Sequence, residues 1–257
     1  MNDDTWLTLV ALHDALLPSM DDVFAEIRRR DANAAGPTDV RTSPNAFTCR
    51  WGDAVVGVAL VPRPIPNSLL EGPSASAWYW PEAAESVAGH GAHVLINLVD
   101  ESRDMIEKAL RLTALTSAVA TAADAVAILW APAGLIHEPG AFAEQARQSS
   151  RESLPLYLWI DFRVQQQAEN RHSLFTNGLA RLGKREIELE SALASGQQVL
   201  EWAYNLAHYQ LDRTAIIKDG DTIGLPDGTQ FTVKHAKSRI DETTDVLLLD
   251  RMEDVAD

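Results

Sequence analysis

Residues 46–61 read AFTCRWGDAVVGVALV. Two runs of apolar and β-branched residues, Ala46–Trp51 and Ala54–Val61, flank Gly52-Asp53, the pattern of two strands joined by a tight turn. Upstream, residues 6–12 form an apolar run that reads as a strand. A helix follows, with Ser19 as N-cap, Asp21 and Asp22 at its positive end and Arg28, Arg29 and Arg30 at its negative end. A polar loop with Gly36 and Pro37 leads into the hairpin. Downstream, the three prolines of 62–66 exclude a central strand or a helix interior. Residues 81–87 open a short helix with proline in its first turn, and 93–99 read as a strand. The order is β-α-β-β-α-β, the ferredoxin-like split unit.

The same order begins again beyond a helix at 103–122. Strands are expected at 126–131, 156–163, 173–176 and 186–190, and helices at 139–148 and 195–211. Ala15, Leu17, Phe24, Ala25 and Glu26 align with Ala133, Leu135, Phe142, Ala143 and Glu144, a faint internal match. The fold class expected is α/β (α+β), made of two tandem ferredoxin-like split β-α-β halves, 1–102 and 124–217. The helix 103–123 connects them, and with no Gly/Ser-rich linker they are expected to pack together. Residues 218–257, with turns at Asp219-Gly220 and Asp227-Gly228, read as a small β appendage ending in an acidic terminus.

Lys and Arg number 22 against 37 Asp and Glu, a formal charge of −15 over 257 residues. Nucleic acid and anionic membranes want a basic face, so neither is the expected partner. The single cysteine, Cys49, excludes an intramolecular disulfide, a four-Cys zinc site and a CxxC pair. Asp3 and Asp4 stand where a signal peptide would carry Lys or Arg, and Asp124 interrupts the weakly polar stretch 112–136. The expected location is cytoplasmic. The sequence holds no GxxxxGK[ST], no GxGxxG after a strand, no GxSxG and no HExxH; His137-Glu138 runs into Pro139 instead. His90 and His93 form HxxH before a strand, but a zinc site needs three or four ligands, so no metal, cofactor or catalytic residue is assigned.

Two features invite a binding role. Glu186, Glu188 and Glu190 alternate with Ile187 and Leu189, which on a strand places three carboxylates on one face. They read as a solvated acidic face able to dock a basic partner. Trp78-Tyr79-Trp80-Pro81 follows the proline-rich crossing, so Trp78 and Trp80 either plug a core edge or serve as binding anchors. Trp202 shares a helical face with Val199 and Leu206 and is expected in the core.

HGAHVLINLVDES, ADAVAILWAPAGLIHEPGAF, LPLYLWIDFR, TNGLARLGKREIELE and KDGDTIG together resemble a bacterial family known only as a domain of unknown function. The resemblance covers about residues 62–224 and is strongest over 154–224. It implies no activity, cofactor or catalytic residue. Its association with secretion and toxin–immunity loci implies an interaction role. The function expected is therefore a cytoplasmic binding protein, most concretely an immunity protein that neutralises a secreted, type VI-like toxin by stoichiometric binding. The partner expected is a basic protein, the toxin or effector. The alternatives are an enzyme with a site near His90, His93 and Asn177, or an accessory protein of a secretion system.

Overall fold

The computed structural model describes residues 5–102, 104–212 and 216–251. The chain divides into two compact units at Trp159/Ile160. Each is a mixed α+β assembly around one sheet, and together they hold seven α-helices among the described residues.

The first unit runs β1 (Thr5–Leu12), α1 (Met20–Arg30), β2 (Thr38–Ser43), β3 (Ala46–Trp51), β4 (Ala54–Val61), α2 (Asn67–Ser76) and α3 (Ala83–Ala88). It continues with β5 (Ala92–Val99), α4 (Met105–Ala122), β6 (Ala127–Trp130), β7 (Leu135–His137), α5 (Pro139–Gln148) and α6 (Leu156–Trp159). Its seven strands form one antiparallel sheet in the order β2-β3-β4-β5-β1-β6-β7. The Gly52-Asp53 hairpin forms as read, with Gly52 at φ 61°. Ser19 Oγ accepts the Asp22 amide at 3.1 Å and starts α1.

This sheet differs from the split unit expected for 1–102. β1 lies between β5 and β6, antiparallel to both. β6 is buried at all four positions, so it needs a neighbour on either side and takes β1 and β7. The segment expected to open a second half thus completes the first sheet. β2 forms inside the stretch read as a polar loop. It is an edge strand exposed at all six positions, so it carries no apolar alternation to read. Residues 156–163, read as one strand, start with the helical turn α6; Pro155 precedes it and accepts the Leu158 amide. Arg103, where the long helix was expected to start, lies outside the described residues, as do Asp3, Asp4 and the terminus 252–257.

On one side of this sheet α4 packs against β1, α1 and α5, and the buried hydroxyls of Thr8 and Thr116 meet at 2.8 Å. A second core joins Leu9 and Ala11 of β1 to Ala127, Leu129 and Ile136, and closes with Ile65 and Leu70 near α2 and Ala83 and Val87 of α3. No helix among the described residues is long and apolar enough to cross a membrane.

The second unit runs β8 (Asp161–Ala168), β9 (Arg171–Asn177), β10 (Glu186–Leu193), α7 (Gly196–Asp212), β11 (Thr222–Gly224), β12 (Gln230–Lys237) and β13 (Asp245–Arg251). Its sheet has the order β11-β12-β13-β10-β9-β8. β10 and β13 are parallel, and such a pair needs a long crossover, which α7 provides. The C-terminal strands are therefore not an appendage: β13 fills the slot beside β10, and its apolar Val246, Leu247 and Leu249 are buried. Trp202 is core as expected, set edge-on to Phe231 at 5.2 Å, with Nε1 donating to Asp227 Oδ2 at 2.7 Å.

Candidate functional site

The structure corrects the reading of the acidic strand as a solvated face. Glu186 and Glu188 are buried, at 3% and 4% exposure, and only Glu190 of the three reaches solvent. β10 is an interior strand, and turns from both sides close over its carboxylates. Glu186 Oε1 accepts the amides of Gly178 and Ala180, each at 2.8 Å, and Oε2 accepts the Thr176 hydroxyl at 2.7 Å. Gly178 enters this turn at φ 131°, a conformation glycine tolerates best. Burial holds the Glu186 carboxyl above the usual glutamate range, with those hydrogen bonds pulling the other way. Glu188 Oε2 accepts the Ser238 hydroxyl at 2.7 Å, and the Arg239 amide lies 3.3 Å from both its oxygens. Glu190 is ion-paired with Arg239. The period-two carboxylates are thus ties between β10 and two turns. A solvated docking face would leave them hydrated, and at Glu186 and Glu188 water has been replaced by backbone and hydroxyl donors.

His90 and His93 are also held internally. His90 Nε2 accepts the Ile65 amide at 2.7 Å, and its Nδ1 faces the Val87 carbonyl at 2.5 Å. His93 Nδ1 lies 2.8 Å from the Arg63 carbonyl. The two imidazoles close the proline-rich crossing onto the end of α3 and the start of β5. They belong to the first unit, whereas Asn177 belongs to the second. No group of three or more His, Cys, Asp or Glu able to hold a metal occurs among the described residues. Cys49 is buried, and burial pushes its thiol pKa up, away from the reactive thiolate.

The aromatic loop remains, and the two roles expected for it are divided between neighbours. The Trp80 amide donates to the Ala77 carbonyl at 2.9 Å and the Ala83 amide to the Trp80 carbonyl at 3.0 Å, a tight turn between α2 and α3. Trp80 packs against the second core of its unit and so plugs its edge. Trp78 is turned out, 62% exposed, and Tyr79 is 40% exposed. The Tyr79 hydroxyl donates to the Ile136 carbonyl at 2.8 Å, which pins the loop to β7. Trp78 and Tyr79 stand at right angles, with centroids 5.7 Å apart.

Beside them opens a cavity of about 290 Å³ within the first unit. α5 supplies Phe142 and Gln145, and the turn α6 supplies Tyr157, itself 41% exposed. The back wall is His137, the last residue of β7. Tyr79 stacks on its ring at 5.7 Å and Phe142 leans on it at 5.5 Å. Burial lowers the His137 pKa to about 4, against a hydrogen bond with the Leu158 backbone that favours the proton. The imidazole is neutral at physiological pH, and its Nε2 has no hydrogen-bond partner among the described residues. Glu138 lies on the rim. Its carboxylate accepts the amides of Gly140 at 2.9 Å and Ala141 at 2.5 Å and so caps α5, with Pro139 in the first turn.

Sequence reading singled out Trp78 and Trp80 but missed His137 and Tyr157. The signal for His137 was present. Glu138-Pro139 marks a helix start, and the apolar Leu135 and Ile136 just before it leave His137 at the end of a short buried strand. Tyr157 carried no such signal, because 156–163 read as a strand.

Residues 175–250 match a family described as a domain of unknown function (DUF4261). The matched stretch lies in the second unit and includes the turn and strand that hold Glu186 and Glu188. No curated protein and no solved structure matches the chain.

Proposed function

We propose that the chain is a binding protein that associates stoichiometrically with a basic protein. The observation that carries this reading is the cluster of exposed aromatics, Trp78, Tyr79 and Tyr157, around one cavity on a molecule of net charge −15. Large rings at the surface supply affinity with little loss of side-chain freedom. A strong negative field steers a positive partner and speeds its encounter. The most concrete form of this reading is a cytoplasmic immunity protein that neutralises a secreted toxin, and the charge supports it because a basic toxin is the complementary partner. Glu186 and Glu188 have no part in it, since their carboxylates are already bonded within the chain.

The test is capture by the full tagged chain at low and high salt, followed by stopped-flow kinetics with the purified partner. The expected partner is basic and binds one to one. Its association should slow several-fold as salt rises, while Trp78→Ala should mainly speed dissociation. An acidic partner, or kinetics indifferent to both salt and Trp78→Ala, would contradict the reading.

A further inference from the structure

We propose that the aromatic cavity of the first unit is a site for an organic cation, a quaternary or methylated ammonium group. Four electron-rich rings, Trp78, Tyr79, Trp80 and Tyr157, line it. Trp78 and Tyr79, set at 82° to each other, offer two walls of a corner rather than a flat stack. The face of an aromatic ring carries negative potential, so rings set at angles around a space favour a bulky, weakly hydrated cation.

The charges at the cavity agree with this. Glu138 lines it, and no lysine or arginine stands among the described residues that do. An ordinary helix start would oppose a cation, because the first amides of a helix carry partial positive charge. Here the Glu138 carboxylate accepts the Gly140 and Ala141 amides, so the start of that helix presents a carboxylate rather than bare amides. Among the described residues that line the cavity, His137 is the one that could become cationic, and burial holds it neutral at physiological pH. Gln145 adds a neutral amide at the wall. An anion would meet the Glu138 carboxylate, which repels it. A neutral apolar group would fit the space but would leave the acidic rim unused.

The same ammonium chemistry can arrive free, as in choline, or on a methylated lysine side chain of a protein, and the experiment separates the two. The full chain is titrated, by calorimetry and by tryptophan fluorescence, with choline, with a short peptide carrying trimethyl-lysine, and with 3,3-dimethylbutanol, the uncharged isostere of choline. Saturable binding of at least one cation is expected, with the isostere roughly tenfold or more weaker. Trp78→Ala and Glu138→Gln should each weaken cation binding several-fold, and Trp78→Ala should leave the melting temperature unchanged because Trp78 is exposed. Tighter binding of choline assigns the site to a free metabolite, and tighter binding of the peptide assigns it to a protein ligand. The proposal is overturned if the isostere binds as well as the cations, if neither cation binds up to about 100 mM, or if Trp78→Ala changes nothing. The titrations use the protein alone, so their failure leaves the protein-binding reading standing, and failed capture of a basic protein leaves the cation site standing.

Discussion

The aromatic cluster of the first unit and the glutamate strand of the second are opposites of what their residue types promise. Trp78, Tyr79 and Tyr157 carry large aromatic rings left partly in water, whereas Glu186 and Glu188 are acidic side chains taken out of it. A buried carboxylate persists only where donors replace its hydration, and the turns at 176–180 and 238–239 supply them. An exposed aromatic persists where its surface is of use or its loop cannot turn it inward, and here the Tyr79–Ile136 hydrogen bond fixes the loop. Residue class by itself therefore marked Glu186 and Glu188 as surface although they are buried, and it did not say which ring of the aromatic loop is turned out and which is packed in.

The largest effect expected is on the two tryptophans that frame this contrast. Trp202→Ala empties a filled core position and should cost about 3–5 kcal/mol. Trp78→Ala removes an exposed ring and should change stability by no more than about 0.5 kcal/mol. Denaturant melts of both variants check this, and equal losses would erase the contrast between inner and outer aromatics.

Next in size is a pH effect at His137. Its folded pKa of about 4 lies below the ordinary 6.5, so the fold favours the neutral ring. The stabilisation is fully present above pH 6.5 and is lost as pH falls towards 4, amounting to about 3 kcal/mol at 1.36 kcal/mol per unit. Glu186 acts in the opposite sense. Its raised pKa favours the protonated form in the fold, so its contribution weakens as pH rises from the usual glutamate range. Stability of the wild type minus that of His137→Phe, followed from pH 7.5 to 4, isolates the histidine. A difference that does not change with pH would contradict its burial as a neutral base.

How far the sequence carried depends on whether a residue's partners are near it in the chain. The Gly52-Asp53 hairpin, the Ser19 cap and the Trp202 helix face were legible, because turn chemistry, capping and helical period are local signals. The role of Glu186 was not. Its donors Thr176, Gly178 and Ala180 lie across a turn, and those of Glu188 lie near residue 238, so a period-two run looked the same whether water or backbone satisfied it. The strand order was equally hidden. β6 pairs with β1 although helices, strands and loops separate them in sequence, and no local pattern records that pairing. At the candidate site, Trp78-Tyr79-Trp80 was visible as a run of rings in a loop, whereas Tyr157 and His137 joined it only through the fold.

The smaller energetic contrast lies within one strand. Glu186→Ala strands two amides and a hydroxyl and should cost at least about 2 kcal/mol. Glu190→Ala breaks only an exposed ion pair with Arg239, worth no more than about 1 kcal/mol. Chemical denaturation of the two variants side by side ranks them, and a cost at Glu190 equal to that at Glu186 would return the whole strand to the surface.

Amide hydrogen exchange at Gly178 and Ala180 tests most directly the claim that the glutamate strand is tied inward. Both amides donate to Glu186 Oε1, so in the wild-type chain they should exchange far more slowly than in an unstructured peptide. In Glu186→Ala their exchange should speed by roughly tenfold or more, beyond any change at β1 and β5 of the first unit. Rapid exchange of both amides in the wild type, or rates that Glu186→Ala leaves unchanged, would contradict the account.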